Sequence, residues 1–169
     1  MADWPAVLDA LRAWWGPVEA RSTLPCSPGE VFAVLADPGT YPHWLVGAQR
    51  IERVDPDFPR PGASFDHAVG AGGPAVVEDS TDAVAVEPPH YLALDAHVGP
   101  ARARVEFFVE DAPTGSEIRF REALVGRLAL VTPAVRVLLH VRCARSLRRL
   151  ERFMAAGRGA GPRPTTGSR

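Results

Sequence analysis

Two ionisable residues, His67 and Glu122, interrupt stretches that otherwise alternate as half-buried strands do. Taking Phe65, His67 and Val69 as one inward strand face, and Ile118, Phe120, Glu122 and Leu124 as another, sets an imidazole and a carboxyl among hydrocarbon side chains. An unpaired carboxylate is costly there, so Glu122 must meet an arginine, take up a proton or stand in a wet space. Paired with Arg142 or Arg145, it would simply orient a helix. Protonated, it can act as general acid while His67 acts as base around a polarised carbonyl. His67 equally suits a hydrogen-bonded wall position.

Other chemistries find little support. His43, His67, His90, His97 and His140 show no paired ligand spacing such as H-E-x-x-H, so no metal site is expected. No serine lies in a G-x-S-x-G elbow, and Cys26 and Cys143 fit neither a catalytic signature nor a C-x-x-C pair, which leaves reduced structural thiols. Gly70 to Gly73 lacks the Lys-Ser/Thr of a phosphate loop and reads as a turn between strands. No cofactor is implied. The net charge of −1 gives no electrostatic case for nucleic acid. All 19 basic residues are arginine, 12 of them after residue 118 with only Glu122 and Glu151 among them, so an acidic sheet and a basic helix are expected to neutralise each other.

The elements that must position these residues follow from periodicity and punctuation. Residues 3–15 read as an amphipathic helix, with Trp4, Val7, Leu8, Leu11, Trp14 and Trp15 on one stripe and Gly16-Pro17 ending it. Its polar face offers only Asp9 and Arg12, which suits docking on the domain better than lying on a membrane. Strands are expected near 18–25, 48–55, 62–69, 75–85, 90–98, 102–110 and 117–125, mostly antiparallel because their connectors are short. On the 75–85 strand either Val77, Asp79 and Thr81 or Val76, Glu78 and Ser80 can face inward. Pro133 opens a long helix to 156, striped by Val135, Leu138, Leu139, Cys143, Leu147, Leu150 and Met154, and Gly157 is placed to close it. The Gly, Pro, Ser, Thr and Arg that follow read as a disordered tail. One long helix facing a bent sheet can leave a gap between them, especially where many inward side chains are Ala and Val.

The stretch from Pro25 to Trp44 adds a more specific signal. Ser27 can cap a helix that Pro28 starts, Val31, Phe32 and Leu35 share one face, Asp37-Pro38-Gly39 stops it, and Thr40 is placed to cap a second turn carrying Tyr41 and Trp44. This order of Ser27, Pro28, Val31, Phe32, Leu35, Ala36, Asp37, Pro38, Tyr41, Pro42 and Trp44 resembles the N-terminal signature of the SRPBCC superfamily, also called START-like or polyketide cyclase/dehydrase-like. The likeness continues at Pro61-Gly62, Glu87-Pro88-Pro89, Thr114-Gly115-Ser116 and the closing Ser146 to Leu150 helix, and spans about residues 18–156.

That resemblance implies an α+β helix-grip fold: a curved antiparallel sheet of about seven strands wrapped around a long C-terminal helix, here with an extra N-terminal helix. The expected organisation is the N-terminal helix at 1–16, the helix-grip domain at 17–156 and the tail at 157–169. It also implies that the gap is a cavity for a hydrophobic small molecule such as a lipid or polyketide, lined by Tyr41, Trp44, Phe65, His67, Leu94, Phe107, Phe120, Glu122 and Leu139. Alternatives are a cofactor-independent polyketide cyclase/aromatase using His67 and Glu122, and a protein-interaction module of the chaperone-activator type. A carrier predicts Glu122 tied to arginine, an enzyme predicts His67 and Glu122 converging on open volume, and an interaction module predicts a filled core. With no secretory signal and no apolar run of about 18 residues, a cytoplasmic protein without stable membrane insertion is expected, and no oligomeric state is implied.

Overall fold

A computed structural model describes residues 16–69, 77–98, 101–125 and 133–159. The expected 3–15 helix, the Gly70–Gly73 turn and the tail beyond 159 lie outside the described residues. Seven strands form one antiparallel sheet in the order β1-β7-β6-β5-β4-β3-β2. They are β1 (Val18–Leu24), β2 (Ala48–Val54), β3 (Ser64–Val69), β4 (Val77–Glu87), β5 (Tyr91–Val98), β6 (Ala101–Ala112) and β7 (Gly115–Val125). From β3 to β7 each strand pairs with its predecessor, so local hairpins build most of the sheet. The chain crosses from one edge to the other through helices α1 (Pro28–Leu35) and α2 (Tyr41–Trp44), and the long helix α3 (Pro133–Gly159) follows the last strand. Register breaks within β2–β3 and β4–β5 mark bulges, which bend the strands that carry them. This is the α+β helix-grip fold.

Local chemistry explains the crossing segment. Ser27 Oγ accepts from the Glu30 amide while the Glu30 carboxylate accepts from the Ser27 amide, a reciprocal cap ahead of Pro28. Val31, Phe32 and Leu35 then fall into the core. Asp37 stops the helix and caps the short 3-10 turn Pro38–Thr40, its Oδ1 accepting from the Gly39 amide at 2.9 Å. Thr40 does not cap α2 as its position suggests. Its hydroxyl donates back to the carbonyls of Val34 and Asp37 and accepts from the Trp44 indole at 3.1 Å, because a buried indole N–H needs an acceptor more than an exposed turn needs a cap.

Helix α3 seats mainly on β1, β7 and α2, burying Cys143, Leu147, Leu150 and Met154, whereas Leu138, expected on the same stripe, is exposed because the first turns of the helix turn that side to solvent. It runs through Gly157 to Gly159 rather than closing at Gly157, its last turn held by a hydrogen bond from Arg158 to the Pro25 carbonyl. Gly157 has no need of a left-handed conformation there. The sheet neutralises much of its own charge on its outer face, with Arg53–Asp66, Arg104–Asp95 and Arg119–Glu110 paired strand to strand. Among the described residues, Arg142–Glu122 is an ion pair that joins α3 to the sheet.

Candidate functional site

Strand alternation sets the interior. Phe65 and His67 on β3, Leu92 and Leu94 on β5, Val105, Phe107 and Val109 on β6, and Ile118, Phe120 and Glu122 on β7 are all buried, on the faces expected for them. Register resolves the face of β4: Thr81 lies opposite Phe65 and Asp79 opposite His67, so the Asp79–Thr81 set points inward. Ala83, Ala96 and Ala103 occupy neighbouring inward positions, where their small side chains project little into the interior.

The expected aromatic residues gather at one end. Tyr41 and Trp44 meet edge to face at 5.2 Å between centroids, Trp44 meets Phe107 at 5.9 Å, and Phe107 meets Phe120 at 4.7 Å. Tyr41 also contacts Phe65 at 5.4 Å, and its hydroxyl donates to the Leu35 carbonyl at 2.6 Å. Trp44, Phe107 and Phe120 have no exposed surface, so they form a continuous packed row running from α2 onto the sheet. Leu94 is buried near the middle of the sheet, and Leu139 on α3 is partly buried against the same core.

The polar residues adjoin this group through Phe65, whose ring lies 5.2 Å from that of His67. Arg142, reaching in from α3, donates from Nη1 to Glu122 Oε2 at 2.5 Å and from Nε to the Val46 carbonyl at 2.9 Å. One guanidinium therefore ties α3 to β7 and to the segment after α2. The Cys143 thiol adds a weaker bond to the same Glu122 oxygen at 3.4 Å, and burial beside that carboxylate pushes the thiol well above its ordinary range. His67 is not hydrogen-bonded to Glu122; Arg142 is the group that relates them. Burial, and then the positive charge of Arg142, hold the His67 imidazole below its usual value, so it stays neutral near pH 7.

Asp79 completes the group. It lies directly across from His67, and burial raises its carboxyl above the usual range, against the opposing pull of the Ser80 amide and His97. Its place could not be chosen from the sequence, because the two possible faces of that strand each carry one valine and two polar residues. Among the described residues no cluster of three or more His, Cys, Asp or Glu is arranged to hold a metal ion, and no helix is long and apolar enough to cross a membrane.

A family model described as polyketide cyclase / dehydrase and lipid transport matches residues 17–155. Among curated proteins none matches the sequence significantly. Solved structures share the fold at low identity. A Rhodobacter sphaeroides protein is 18% identical with a TM-score of 0.68, the match covering 84% of this chain and 93% of that one. Ara h 8.0201 is 16% identical with a TM-score of 0.66, over 83% of this chain and 97% of that one. DynU16, a protein of the dynemicin biosynthetic locus, is 19% identical with a TM-score of 0.63, over 84% of this chain but 48% of its own length. At these identities the likeness is one of fold.

Proposed function

Since this chain belongs to the polyketide cyclase / dehydrase and lipid transport family, we propose that it binds a hydrophobic small molecule between its sheet and its C-terminal helix. The observation that carries this reading is the engagement of Glu122 by Arg142 at 2.5 Å. A carboxylate committed to a guanidinium orients α3 and is poorly placed to deliver a proton, which favours a carrier or sensor over an acid–base catalyst. Phe65, Leu94 and Leu139 would line the site, with Tyr41, Trp44, Phe107 and Phe120 packed beneath them as its support. A lipid, a polyketide or a similar apolar metabolite suits such walls. Two free, buried cysteines suit work in the cytoplasm.

The cyclase alternative keeps one observation in its favour, a neutral His67 able to accept a proton from a ketone-activated carbon. Native mass spectrometry of protein released gently from its host tests the primary reading. A stoichiometric apolar adduct is the expected result. Failure to take up any apolar compound would end both ligand-based readings. Turnover of a poly-β-ketone that is lost in His67→Gln but retained in Glu122→Gln would instead assign catalysis, with His67 as its base.

A further inference from the structure

Two polar atoms on adjacent strands stand unsatisfied inside the fold. His67 is 7% exposed, and its Nδ1 has no hydrogen-bond partner among the described residues. Asp79, its register partner on β4, accepts the Ser80 amide on Oδ1 at 2.9 Å, while Oδ2 is enclosed and unpartnered. Buried polar atoms are nearly always bonded, because the cost of stripping their water is otherwise unrecovered. Two exceptions side by side on one inward face therefore call for a common explanation.

Among the described residues none supplies one: the Phe65 backbone exerts a weak pull on the imidazole but makes no well-formed hydrogen bond to Nδ1. The imidazole and the carboxyl do not bond to each other, and the nearest cation, Arg142, is occupied by Glu122 and the Val46 carbonyl. The surroundings are apolar or small, with Phe65 stacked at a tilt 5.2 Å from the His67 ring and Thr81 one inward position along β4. A neutral imidazole can present Nδ1–H as a donor, and Asp79 Oδ2 is an acceptor. The partner that satisfies both at once is a group that donates and accepts through one atom.

We infer that His67 and Asp79 form a polar anchor for the hydroxyl end of an otherwise apolar ligand, an alcohol, phenol or enol. Its O–H donates to Asp79 Oδ2, and its oxygen accepts from His67 Nδ1. This deepens the ligand-binding reading above and rests on it. A carboxylate-ended ligand offers only acceptors and would face Asp79 and Glu122 across a site whose arginine is already paired. A pure hydrocarbon leaves both protein atoms unmet. A site built for a hydroxyl discriminates strongly against the analogue that lacks it.

Calorimetric titration of the full chain at pH 7.5 with 2-naphthol, naphthalene and 2-naphthoate tests the anchor. We expect 2-naphthol to bind about tenfold or more tightly than naphthalene, as one satisfied buried hydrogen-bonding site implies, and naphthoate to bind most weakly. Asp79→Leu should bring naphthol down to the level of naphthalene without weakening naphthalene. Thermal melting supplies a second readout: Asp79→Leu and His67→Phe should melt at or above the parent, since each removes an unsatisfied buried polar group. Equal binding of naphthol and naphthalene, a naphthol preference that survives Asp79→Leu, or a lowered melting temperature in both variants would overturn the anchor while leaving apolar binding intact. No binding of any of the three would overturn the ligand-binding reading itself.

Discussion

Replacing Arg142 by methionine tests how far the grip of α3 on the sheet depends on one ion pair. Methionine keeps most of the aliphatic stem and removes the charge, leaving Glu122 with the Cys143 thiol as its remaining contact. The Glu122 side chain is only 6% exposed and that of Arg142 28% exposed, so the pair is buried at one end and half-wet at the other. Stranding one partner of a fully buried pair costs about 3–5 kcal/mol, which partial exposure of the arginine lowers to roughly 2–4 kcal/mol here. Loss of the bond to the Val46 carbonyl adds about 1 kcal/mol. For a domain of this size the sum corresponds to a fall in Tm of roughly 6–20 °C. The double variant Glu122→Leu/Arg142→Met should recover most of that loss, because no charge is left stranded. Urea unfolding of the four proteins gives the coupling directly, expected at about 2–3 kcal/mol. A single variant that loses under about 1 kcal/mol, or a double variant that loses the sum of both singles, would refute this view of the pair.

Two further outcomes follow from the geometry. The imidazole of His67 is held below its ordinary 6.5, so between that value and its folded-state value the unfolded chain binds more protons than the folded one. Stability contributed by neutral His67 is therefore complete above about pH 6.5 and lost as pH falls; the melting temperature of His67→Phe relative to the parent should be higher at pH 5.5 than at pH 7.5, and an unchanged difference would contradict it. At Gly115, where φ is +135°, an added Cβ would come within 2.1 Å of the Leu24 carbonyl oxygen. Gly115→Ala should cost about 3 kcal/mol or more by separating the β6–β7 hairpin from β1, and a melt within about 2 °C of the parent would show that the edge can move aside.

Much of this architecture was legible because the residues that make it act locally. Ser27-Pro28 before an apolar face, Asp37-Pro38-Gly39 after it, and the odd-even alternation of Ile118, Phe120 and Glu122 each depend on neighbours within a few positions. What escaped depends on contacts distant in sequence. The Thr40 hydroxyl was diverted by the Trp44 indole, an acceptor requirement visible only once the ring is buried. The helix passed Gly157 because Arg158 reaches the Pro25 carbonyl, more than a hundred residues away. The inward face of β4 was settled by its pairing with Phe65 and His67, which alternation within a polar strand could not select. Glu122 found Arg142, one of two arginines a turn apart on the same helix, and that choice follows from how α3 is seated.

The central claim is that a greasy guest lies between the middle of the sheet and α3. Intermolecular NOEs between 2-naphthol and selectively methyl-labelled protein test it most directly. We predict contacts from the bound ring to the methyls of Leu94 and Val105, neighbours on the inner face of the sheet, and of Leu139 on α3, which packs against the same core. Contacts confined to the exposed Val137, Leu138 and Val141 on the outside of α3 would contradict it.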